Sequence, residues 1–254
     1  MSKLTKVTRV FFIALVYLVS STLIRFLLTD EHEKKLILSK NLRRHAKWML
    51  AALGITVRET GHEESEGHHL IVANHVSYLD VLVIASNRPC LFVTSVEVSN
   101  QGLVGFFAKS AGSLFVERRS RGSVKEQIDH LSRALKDGFN VVVFPEGTSS
   151  DGLSVLPFKQ SLLNAAIESQ IDVLPVCLNY QLVNDERVTA ASRDAIFYYG
   201  DMEFFAHLGR LLSLKSITVE MRWLEIIKVT ADSSRKSVAD SAYRTICQSY
   251  VPII

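Results

Sequence analysis

The sequence predicts an α/β fold: a single domain with a largely parallel central sheet flanked by helices, preceded by an N-terminal helical hairpin. Three observations carry this. Short apolar strands alternate with helical stretches from residue 54 onwards. The first 53 residues read as helix throughout, apolar first and basic second. No interior run rich in Pro, Gly and Ser divides the 254 residues, so one core accounts for the chain. The boundaries are accordingly 1–53 and 54–254.

The N-terminal segment opens with Val10 to Ile24, a run without charge. It falls short of the roughly 20 residues that cross a bilayer, and extension through Leu28 places Arg25 inside. Lys3, Lys6 and Arg9 ahead of an apolar run that ends in small residues also fit a cleaved signal peptide. The next segment argues against export. Over 34–53, Lys40, Arg43, Arg44 and Lys47 share one helical face, Leu38, Leu42, Met49 and Leu53 lie opposite, and Trp48 sits on the flank. Such a helix lies in a headgroup plane or packs on the domain. Basic residues flank the apolar run on both sides, and a single span would put one cluster on the wrong side. A membrane-binding hairpin dipping into one leaflet, with both ends cytoplasmic, avoids this.

Charge and composition agree. Hydrophobic residues make up 48%, and the net charge is +3. Residues 1–48 hold ten Lys/Arg against three acids, which leaves the remainder net acidic. A basic end beside an apolar run points to lipid headgroups rather than nucleic acid. Cys90, Cys177 and Cys247 lie far apart, without metal spacing or a disulfide framework, and read as buried or free thiols. His68 and His69, beside a Glu-rich loop, read as solvated.

In the body, strands are predicted at 69–73, 90–94, 113–116, 140–144, 173–179, 195–199 and 217–227. Helices are predicted near 78–86, 103–110, 123–137, 160–169, 202–213 and 233–249. The helix from 123 is the clearest: Ser123 and Glu126 form a capping box, Val124, Ile128, Leu131 and Leu135 a stripe, and Gly138 a stop.

Ligands of such folds bind at loops beyond the carboxyl ends of strands, and three loops there are chemically unusual. Asn74-His75-Val76-Ser77-Tyr78-Leu79-Asp80 follows the strand LIVA. On a regular helix His75 and Asp80 would stand about 140° apart. They meet if His75 precedes the helix, with Ser77 as N-cap and Asp80 at N3. Phe144-Pro145-Glu146-Gly147-Thr148-Ser149 follows a second strand. Leu114-Phe115-Val116-Glu117-Arg118-Arg119-Ser120-Arg121 offers guanidinium forks that suit a phosphate. Taken singly, each block also reads blandly, as a capped helix, a tight turn and a solvated basic loop.

Together, N-H-x-S-x-x-D, L-F-V-E-R-x-x-R, F-P-E-G-T-S and Val173-Leu174-Pro175-Val176 occur in the order and spacing of the glycerolipid acyltransferase family, over roughly residues 70–180. The chain resembles that family, whose best-known members are lysophosphatidic acid acyltransferases. The resemblance implies transfer of a fatty acyl chain from acyl-CoA or acyl-carrier protein to the free hydroxyl of a lysophospholipid. His75 would act as general base, with Asp80 holding its tautomer. Arg118 and the Glu146-Gly147-Thr148 loop would bind the acceptor headgroup, and Asn74, Phe115 and Arg121 complete the implied substrate-binding set. No metal or redox cofactor is implied, and the expected location is the cytoplasmic face of a bacterial inner membrane. Lysophosphatidic acid, giving phosphatidic acid, is the first acceptor. Another lysolipid such as lyso-ornithine lipid is the alternative, because Ser95-Val96-Glu97 stands where many members carry Lys before Glu. Gly102 also replaces the usual Pro, and Glu117 the usual Asp. Other readings are a lipid hydrolase using the same His-Asp pair and a non-catalytic membrane-binding relative.

Overall fold

The computed structural model describes residues 3–61, 67–100, 102–117 and 124–253. Helix α1 (Lys3–Leu27) runs well beyond the uncharged stretch, as one helix of 25 residues and roughly 37 Å. Two of its basic residues, one near each end, bond to the domain. Lys6 is buried, and its Nζ donates to Leu53 O and Leu214 O, both at 2.7 Å. Arg25 donates to Lys109 O. Asp30 then caps α2 (Glu31–Leu53) by accepting from Glu33 N at 2.7 Å. Gly54 ends it at φ +74°, where a Cβ would lie 2.6 Å from Lys215 O, so only glycine fits.

The two helices form an antiparallel hairpin, pinned midway by Asn41, whose Nδ2 donates to Ser20 Oγ and Ser21 Oγ at 2.9 and 3.0 Å. Residues 34–53 form an amphipathic helix that packs on the domain. Leu38, Leu42, Ala46, Leu50 and Leu53 are buried, and most of them join the domain core, while Lys40, Arg44 and Lys47 stay exposed. The boundary at 53/54 is therefore not a gap in the packing.

The sheet comprises β1 (Ile55–Gly61), β2 (Leu70–Ala73), β3 (Leu91–Ser95), β4 (Leu114–Val116), β5 (Val141–Val143), β6 (Val173–Val183), β7 (Glu186–Arg187) and β8 (Ile217–Trp223). Its order is β1-β8-β6-β2-β5-β3-β4, with β7 as a short hairpin on β6. The run from β6 through β2, β5 and β3 to β4 is parallel, whereas β8 is antiparallel to β6. The connecting helices are α3 (Leu79–Asn87), α4 (Val96–Ser99), α5 (Gly102–Ser110), α6 (Val124–Lys136), α7 (Asn164–Ser169), α8 (Phe204–Leu211) and α9 (Arg235–Ser249). Alternate residues of the central strands face opposite cores. Ile71, Val142 and Leu174 pack toward α2 and α3, and Leu70, Val141, Val143 and Val173 toward α6, α7 and α9. Each fully buried Leu or Ile contributes roughly 1.5–3 kcal/mol.

Three expectations need correction. Residues 55–61, where no strand is predicted, form edge strand β1 on β8; their mostly exposed pattern hides the strand. The predicted strand 195–199 is irregular chain after a 3-10 turn (Arg193–Ala195). Strand β6 is already flanked by β2 and β8, so the segment does not pair with it. Its apolar side chains pack over the motif loops instead, Phe197 against the Tyr180 ring at 5.5 Å. His69 is buried rather than solvated. Ser123 of the expected capping box lies outside the described residues.

Candidate active site

The parallel strands β2, β5, β3 and β4 all end on one side of the sheet, and the motifs leave from those ends. Because β2 and β5 are neighbours, the His75 and Glu146 loops lie side by side. Backbone and side-chain hydrogen bonds join them. His75 N donates to Glu146 Oε1 at 2.7 Å, and Ser150 N donates to His75 O at 2.9 Å.

His75 stands before α3 and Asp80 in its first turn, so the two meet as the sequence requires: Nδ1 to Oδ2 is 2.8 Å. Asp80 is wholly buried and receives three further donors. Val76 N and Ser77 N reach Oδ2 at 2.7 and 2.9 Å, and Tyr180 Oη donates to Oδ1 at 2.7 Å. The helix opens one residue later than expected, with Tyr78 rather than Ser77 at the N-cap. Asp80 reaches back to Ser77 N, but Ser77 Oγ meets only Leu79 N at a weak 3.4 Å. The imidazole lies on the Phe144 ring, centroids 4.2 Å apart, and its side chain remains 20% exposed. With Nδ1 committed to a buried carboxylate, Nε2 is the nitrogen left to exchange a proton.

Asn74 and Glu146, both expected at the substrate, make internal hydrogen bonds. Strand β6 runs beyond β2, and Asn74 fills the gap: Nδ2 donates to Leu178 O at 3.0 Å and Oδ1 accepts from Leu178 N at 2.8 Å. Its buried amide thus continues the sheet ladder like a peptide unit. The Glu146 carboxylate is also buried and points inward, accepting from His75 N and from Leu156 N at 2.8 Å. Burial pushes its pKa up to about 8 against the pull of those two N–H groups, with Asp80 adding to the rise. Thr148 is exposed, and Phe115 is half-buried on β4. Arg118 and Arg121 lie outside the described residues.

Two contributors carry no sequence signal. Tyr180 lies on β6, 100 residues from Asp80, and belongs to none of the motif blocks. Burial and the Asp80 charge raise its phenol well above the usual value, so it remains a donor. The other is the segment through 198. Tyr198 N donates to Val76 O at 2.9 Å, and Tyr198 O accepts from Ser149 Oγ, which straps the two motif loops together. Helix α8 supports the strap through His207, whose Nδ1 is 2.9 Å from Tyr78 Oη; burial lowers this histidine to about 4, leaving it neutral.

The family model described as Acyltransferase matches residues 54–179, the stretch from β1 into β6 that holds every motif. Across 206 residues the chain is 32% identical to a lyso-ornithine lipid O-acyltransferase of Brucella abortus, covering 77% of each. The chain belongs to the acyltransferase family. This acyltransferase is also 30% identical to a 1-acyl-sn-glycerol-3-phosphate acyltransferase of Neisseria gonorrhoeae, over 79% of its own length and 76% of that protein. It is 35% identical to a Pseudomonas aeruginosa lyso-ornithine lipid O-acyltransferase, over 73% and 70%. The crystal structure of a 1-acyl-sn-glycerophosphate acyltransferase from Thermotoga maritima superposes with a TM-score of 0.67, covering 98% of this chain and 95% of the other at 20% identity, which shows a shared fold. The enzyme is thus an O-acyltransferase of the lysolipid class, with both acceptor types among its relatives. In this acyltransferase the departing segment 95–97 opens α4, where Ser95 Oγ accepts from Val98 N at 3.4 Å and places no cation.

Proposed function

We propose that the enzyme transfers a fatty acyl chain from acyl-CoA or acyl-carrier protein to the free hydroxyl of lysophosphatidic acid, giving phosphatidic acid. The observation that carries the mechanism is the buried Asp80 carboxylate on His75 Nδ1. His75 Nε2 takes the hydroxyl proton as the oxygen attacks the thioester carbonyl. The tetrahedral adduct then collapses, the C–S bond breaks, and the imidazolium returns the proton to the leaving thiolate. Asp80 stabilises the imidazolium between these steps. The acceptor hydroxyl stands where a serine protease has its nucleophile, so no acyl-enzyme is required.

Asn74 and Glu146 act in this scheme by fixing the loops, and Thr148, Phe115, Arg118 and Arg121 by meeting substrate. A second acceptor, lyso-ornithine lipid, is favoured by the missing cation at 95–97 and by the relatives of that name. The deciding experiment incubates purified protein with labelled acyl-CoA or acyl-carrier protein and a panel of lysolipids, and weighs the product. Phosphatidic acid as the main product supports the reading; free fatty acid alone would replace it with hydrolysis.

The hairpin is the proposed membrane anchor, on the cytoplasmic face. Phe11, Phe12, Leu15, Val19, Leu23 and Phe26 of α1 are exposed. Both ends of that helix are tied to the domain, through Lys6 and Arg25, which suits a helix lying in one leaflet. Cysteines placed at Lys3 and Glu31 are expected to label from the same side; labelling from opposite sides would establish a span.

A further inference from the structure

The turn of the E-G-T block is crossed by a lysine. Gly147 takes φ +77°, and a Cβ there would lie 2.6 Å from Lys159 Nζ and 3.2 Å from its Cδ and Cε. The lysine side chain therefore lies flat on the glycine, in a space that any larger residue would fill. Its backbone is held to the same loop, because Lys159 N donates to Pro145 O at 2.8 Å.

Neither contact neutralises the charge. Lys159 is exposed, and among the described residues no carboxylate lies within ion-pair distance of its ammonium. The adjacent acid Glu146 turns inward to the His75 and Leu156 amides. A cation is thus laid across the loop whose neighbouring residue holds the backbone of the base. The 95–97 segment, which leaves β3 beside β5, supplies none.

We propose that Lys159 receives the anionic oxygens of the acceptor headgroup and so sets a preference for acidic lysolipids. This rests on the acyl-transfer reading. The phosphate of a lysophosphatidate lies only a few bonds from the hydroxyl that attacks, so one cation beside the base-bearing loop serves both binding and alignment. An ammonium is a point charge and suits a phosphate monoester without needing a fork. A carboxylate headgroup, as in a lyso-ornithine lipid, carries less charge and gains less.

The test uses the full chain in mixed micelles, as wild type, Lys159→Met and Lys159→Arg. Acceptors are lysophosphatidate, lyso-ornithine lipid and uncharged monoacylglycerol, with thermal melts as the folding control. For Lys159→Met the acceptor KM is expected to rise 10- to 100-fold with lysophosphatidate and less with lyso-ornithine lipid. Monoacylglycerol transfer and the donor KM are expected to hold within about twofold, and Lys159→Arg to recover most of the loss. Equal loss with charged and uncharged acceptors, or no loss with either acid, overturns the proposal. Calorimetric binding of lysophosphatidate is measured in parallel. A wild type that transfers to no lysolipid yet binds this one, with weaker binding by Lys159→Met, defeats the acyl-transfer reading and leaves the headgroup site standing. Equal binding by both proteins defeats the site.

Discussion

Two buried carboxylates sit on neighbouring loops, and their surroundings divide them. Asp80 accepts from four donors, His75 Nδ1, Val76 N, Ser77 N and Tyr180 Oη. Glu146 accepts from two backbone amides, and burial outweighs them. A carboxylate ringed by donors is held in one orientation, the arrangement the proposed mechanism needs beside an imidazolium that comes and goes. A carboxyl with fewer donors in an equally dry place is built to hold backbone, and carries a proton near neutrality. In the proposed mechanism the same functional group serves chemistry on one loop and architecture on the next, and the number of donors separates the two.

The largest effects are expected where the comparison is broken on the Asp80 side. His75→Ala should abolish nearly all transfer with the fold intact, and Asp80→Asn should lower kcat by about 10³–10⁴-fold. Near-normal turnover by a folded His75→Ala protein would sink the mechanism. Asp80→Asn keeps acceptor oxygen for the amides and an NH₂ group toward Tyr180, whose hydroxyl can reverse its role. A melting curve close to wild type is therefore expected alongside the lost rate.

Glu146→Gln should show the reverse pattern, with a stability defect larger than its kinetic one. Its amide oxygen can serve one backbone N–H, but its NH₂ confronts the other, a loss of roughly 1–3 kcal/mol. The pH dependence sharpens the point. Glu146 titrates near 4.5 when unfolded and at about 8 when folded, so the folded state holds the extra proton between those values. The stability from this group is complete below pH 4.5 and is lost as pH rises through 8. Wild type should melt lower at pH 9 than at pH 6, and Glu146→Gln should flatten that slope. An unchanged slope in the variant would assign the pH effect elsewhere.

The smallest effect tests whether the fourth donor matters. Tyr180→Phe removes one bond to Asp80 Oδ1 and leaves His75 in place. A 5- to 50-fold fall in kcat with little change in KM, and a stability loss of about 1–2 kcal/mol, is expected. A change confined to melting temperature would make Tyr180 a packing residue only.

The sequence by itself determined the alternating α/β order, the helical hairpin, and the pairing of His75 with Asp80. These depend on local periodicity and on a short spacing across one helix start, which neighbouring residues settle among themselves. It also placed Glu146 and Asn74 at the site, because both follow strand ends. Only the tertiary structure decided what they do there. Asn74 became a rung of the ladder because β6 outruns β2, and Glu146 turned inward because β2 and β5 are adjacent. Tyr180, the strap through Tyr198 and the lysine lying on Gly147 were likewise set by the fold. Each joins residues far apart along the chain or across a turn. No periodicity in one strand records which strand lies beside it, so contacts made across the sheet become visible only when the sheet is assembled.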